Sequence, residues 1–175
     1  FRLLAKRPDN SDSLTLCKRG SGQLLGWVSI LRSSPCEWVL ASEETLALSI
    51  DSKAFVDLFF VNDSFAASFK SLSHPQEAYT VISEFFKLQP VLSDQWGDCL
   101  LDLVNSCKIC TLDGGLKFEP PQGLKDLKWV VSTNGLSSHK TASVITISEF
   151  VKSEDSFRLP IRFLGIPDNT DIVTN

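Results

Sequence analysis

The chain has 175 residues, 43% of them apolar and 22% charged, and 17 basic against 21 acidic side chains leave a net charge of −4. That composition excludes intrinsic disorder and allows a packed core without disulfide staples. No apolar run reaches the roughly 18–20 residues of a membrane-spanning helix, and no basic block marks a nucleic-acid surface. With no Met and with Phe1 at its start, the sequence reads as an excerpt of a longer polypeptide.

Phe1-Arg2-Leu3-Leu4-Ala5-Lys6-Arg7 lacks the apolar core of a signal peptide and runs into Pro8-Asp9-Asn10. Residues 1–50 read as short strands. Leu14 and Leu16 belong to one that ends in a glycine turn at Gly20 and Gly22, where positive φ is cheap. Trp38-Val39-Leu40-Ala41 is a second. In Thr45-Leu46-Ala47-Leu48-Ser49-Ile50 the apolar residues alternate, the pattern of a half-buried strand. Three helices are expected next. Asp51 or Ser52 caps one carrying Phe55, Leu58 and Phe59. Asn62 caps another carrying Phe65, Ala66 and Phe69. Ser73-His74-Pro75-Gln76 fits a capping box, with Ser73 as N-cap and Gln76 at N3. The helix that follows bears a wide stripe of Ala78, Val81, Ile82, Phe85 and Phe86, and stops before Pro90. Pro90 is also the expected boundary between two units, residues 1–90 and 91–175.

In the second unit Ser93 caps a helix with Trp96, Leu100, Leu103, Val104 and Cys107 on one face. Turns then dominate, with candidate strands at residues 128–132, 143–147 and 157–164. The five cysteines are too few for a disulfide scaffold and read as reduced thiols. Cys107-Lys108-Ile109-Cys110 has no partner pair for zinc and follows a helix rather than opening one, so two buried side chains at a helix end are expected. No nucleophile elbow, HExxH, P-loop or carboxylate pair organises a catalytic site. Ser132, Ser137, Ser138 and His139 read as a solvated polar loop. Neither enzyme activity nor a metal or other cofactor is expected.

The informative stretch is Gly22-Gln23-Leu24-Leu25-Gly26-Trp27-Val28-Ser29-Ile30-Leu31-Arg32, then Pro35-Cys36 and Ala41. Lying between strands and followed by amphipathic helices, it resembles the phosphate-binding cassette in the distal half of a cyclic-nucleotide-binding domain. Gly22 and Gly26 match the cassette's glycines, Ser29 its small residue, Ile30-Leu31 its hydrophobic pair and Pro35 its proline. In that family a glutamate holds the ribose hydroxyl and an arginine neutralises the phosphate. Here Trp27 and Cys36 stand at those two positions, and the segment after Pro35 is one residue short. Arg32 precedes the proline and does not replace the lost arginine. An anion without its counter-charge is costly to bury, so the resemblance implies the fold and argues against cAMP or cGMP.

Residues 25–37, with Lys128-Trp129-Val130-Val131-Ser132 and Ile161–Pro167, also resemble a region of cyanobacterial peptidase-containing ABC transporters of type I secretion. The expectation is an α+β chain: the distal part of a jelly-roll-like antiparallel β roll with C-terminal helices, plus a small α+β appendage. The resemblance implies a regulatory or assembly module on the cytoplasmic side of a membrane transporter, and early strands of the roll upstream of Phe1. Protein partners, including the rest of its own polypeptide or a second copy, are expected to meet the candidate interface helix at Val81, Ile82, Phe85 and Phe86. The alternative is a sensor for a non-standard nucleotide or other small ligand, with Trp27 stacking a planar ring and Cys36 sensing oxidation.

Overall fold

The computed structural model describes residues 1–6, 12–86, 96–112, 118–133 and 159–167, apart from the side chains of residues 85, 86 and 96–98. Strands β1 (Arg2–Lys6) and β2 (Ser13–Lys18) form an antiparallel pair, with a bulge between Leu3 and Leu4. β3 (Val39–Leu40) closes on the other side of β1, giving the order β2-β1-β3. The second sheet has the order β4-β6-β5, built antiparallel from β4 (Lys108–Leu112), β5 (Lys128–Val131) and a central β6 (Ile161–Ile166). Five helices occur among the described residues: α1 (Trp27–Arg32), α2 (Ser52–Val61), α3 (Asp63–Lys70), α4 (Pro75–Phe86) and α5 (Trp96–Ser106). The chain is α+β, with two small antiparallel sheets among the described residues.

Local chemistry explains two of the helix starts. Asp51 accepts from the Lys53 N–H at 2.7 Å, and Asn62 accepts from Phe65 N–H at 2.9 Å. Each satisfies a donor that the first helical turn leaves free. α4 departs from the expected capping box. It begins at Pro75, and Gln76 turns away to donate from Nε2 to the carbonyls of Leu4 (3.0 Å) and Trp38 (2.6 Å). A tertiary demand, holding β1 and β3 together, outranks the local cap.

The expected boundary at Pro90 does not separate two cores. Ala5 and Leu16 of the first sheet, Ala78, Val81 and Ile82 of α4, Leu100, Leu103 and Val104 of α5, and Val130, Leu164 and Ile166 of the second sheet form one buried cluster. β6 is buried along its whole length because both of its faces are covered. Leu164 and Ile166 join the helices, while Ile161 and Phe163 pack with Phe118, Trp129 and Val131. Gly165 is required there: a Cβ would lie 2.8 Å from Leu127 Cδ1 and 3.0 Å from the Trp129 indole.

Three expectations change. Residues 45–50 are not a strand: Leu46, Leu48 and Ile50 are 96%, 92% and 61% exposed, and no strand pairs with them among the described residues. Leu58 is exposed, so the buried stripe of α2 is Phe55 and Phe59 alone. Residues 108–112, not among the expected strands, form strand β4, because β6 supplies a hydrogen-bonding edge. The candidate strand at 143–147 and the Ser93 cap lie outside the described residues.

Candidate functional site

The cassette-like stretch folds as a tight helical turn between two sheet strands. Gly22 and Gly26 hold φ of 76° and 84°, the left-handed region that glycine enters without a Cβ clash. Gly26 is the N-cap of α1, and Ser33, at φ 56°, closes the turn by donating to Ile30 O. Ser29 Oγ accepts from the Cys36 N–H at 3.2 Å and donates to Glu37 Oε2 at 3.5 Å, tying the helical turn to the segment after Pro35. The structure therefore brings Gly26, Trp27, Ser29 and Cys36 together, with Gly22 on the approach to the turn and exposed Pro35 just before Cys36.

Trp27 points inward and is 3% exposed. Its ring centroid lies 5.0 Å from Phe69 and 5.5 Å from His74, and the Arg162 guanidinium sits 5.5 Å above it. Cys36 is buried in the same cluster with Val28, Leu31, Phe55 and Phe59. Burial pushes its thiol above the ordinary range, against the opposing pull of Arg32, so the reactive thiolate is disfavoured. Trp27 and Cys36 both pack in this buried cluster.

Sequence reading missed a buried polar network behind the turn. Glu77 Oε1 accepts from Arg162 Nε (2.9 Å) and Ser132 Oγ (2.7 Å), and Glu77 Oε2 accepts from Arg162 Nη2 (2.8 Å). Arg162 also donates to Phe69 O and Leu72 O, at 3.0 and 2.9 Å. Arg32 Nε donates to Ser132 O and Oγ, both at 3.0 Å. Ser132 is thus a buried linker rather than part of a solvated loop, while Ser137, Ser138 and His139 lie outside the described residues. Nearby, His74 Nε2 and Glu37 Oε1 are 3.0 Å apart and buried, though not aligned as a hydrogen bond. The legible signal was an arginine in the middle of the apolar run Ile161–Ile166, which a buried strand admits only with a partner.

Outside the turn lies an open groove of about 840 Å³. Residues 19–25 form one wall and residues 43–50 the other, with Phe1, Trp27, Ile30 and Phe55 also lining it. Its lining side chains include one basic residue, Arg19, against two acidic ones, Glu43 and Glu44. Arg32 does not line it, being committed to Ser132 and, at 3.7 Å, to Glu84.

Two further expectations resolve on geometry. Val81 and Ile82, at 0% and 1% exposed, belong to the chain's own core and offer no surface to a partner; the Phe85 and Phe86 side chains lie outside the described residues. The five cysteines are free thiols. Cys107 follows α5 with its thiol donating to Leu103 O at 3.2 Å, and burial pushes it up to about 12. Cys110 sits on β4, its thiol also raised by burial. Among the described residues no group of His, Cys, Asp or Glu is arranged to hold a metal ion, and no helix is long and apolar enough to cross a membrane. Comparison of the chain with protein-family models, curated proteins and solved structures finds no match.

Proposed function

We propose that the chain is a degenerate cyclic-nucleotide-binding-like module, the distal part of a β roll of that type. Its role is non-enzymatic protein contact within a larger polypeptide, in keeping with a regulatory or assembly region on the cytoplasmic side of a transporter. The resemblance is supported by the order strand, glycine turn, short helix, strand and helices from β2 to α4. The contact role, in place of nucleotide binding, is carried by one observation: Trp27 fills the space behind the turn from within. Only an edge of the ring reaches the groove, and a stacking ligand would have to displace Phe69, His74 or Arg162. Burial of Cys36, which raises its thiol, also weighs against the sensor alternative.

Thermal melting with cAMP, cGMP and cyclic dinucleotides tests this reading. A ligand that binds only the native state at 100 times its Kd stabilises it by about 2.7 kcal/mol, several degrees in a domain this size. The expected result is an unchanged midpoint with each at about 1 mM. A dose-dependent rise with any of them would restore the sensor reading.

A further inference from the structure

We draw no further inference here: the strongest candidate, the exposed apolar run of Leu46, Leu48 and Ile50 along one wall of the groove outside the cassette-like turn, carries nothing because nothing in the structure shows what covers it.

Discussion

At Gly165 the absence of a side chain is a packing requirement rather than a conformational one. The Trp129 indole lies across this position, held by a hydrogen bond from Nε1 to Leu124 O at 3.0 Å, so it cannot swing aside freely. Gly165→Ala should therefore cost about 1–3 kcal/mol, as overpacking of a dense core does. Gly20→Ala, where nothing lies within 4 Å of the added atom, should stay within about 0.5 kcal/mol. Urea denaturation midpoints distinguish the two; equal shifts would show that the indole yields. Trp27 illustrates what one residue's identity leaves open. Its place directly after the turn glycine Gly26 was readable from the sequence. Its inward orientation was not, because the covering groups Phe69, His74 and Arg162 come from positions 42, 47 and 135 residues further on.

Among the elements, α4 connects the rest. Its apolar face joins both sheets in one core, Gln76 holds the carbonyls of Leu4 and Trp38, and Glu77 receives Arg162 from β6. The Glu77–Arg162 pair is fully buried, so removing one partner leaves an uncompensated charge. Glu77→Gln and Arg162→Met should each destabilise by about 3 kcal/mol. The double variant should cost at least about 1 kcal/mol less than their sum, because the two groups act on each other. A double-mutant cycle in urea measures this coupling, and strict additivity would contradict the assigned network. The stripe Ala78-Val81-Ile82 was legible as helical periodicity. The role of Glu77 was not, since an acidic residue in a first helical turn already has a local explanation in the helix dipole. Gln76 misled for the same reason: a capping box is a local pattern, and the tertiary contact that replaces it spans 72 residues. Residues 45–50 show the converse case. Their alternation suggests a half-buried strand, but a strand also needs a paired edge, and none of the described residues supplies one.

For the molecule as a whole, the shared core and the Arg32–Ser132–Glu77–Arg162 network join the segments on either side of Pro90. Pro90 suggested two units, but a local break in the sequence does not reveal a buried cluster that draws on both sides of it. The same network keeps Arg32, four residues from Cys36, away from the groove. The central claim is that the cassette-like turn is closed from within and receives no cyclic nucleotide. Amide NMR spectra of the chain titrated with cAMP to about 1 mM report on this at single residues. The account predicts that the Gly22, Gly26 and Trp27 amide resonances stay where they are. Saturable shifts confined to those three amides, with Trp27 released from its contact with Phe69, would contradict it.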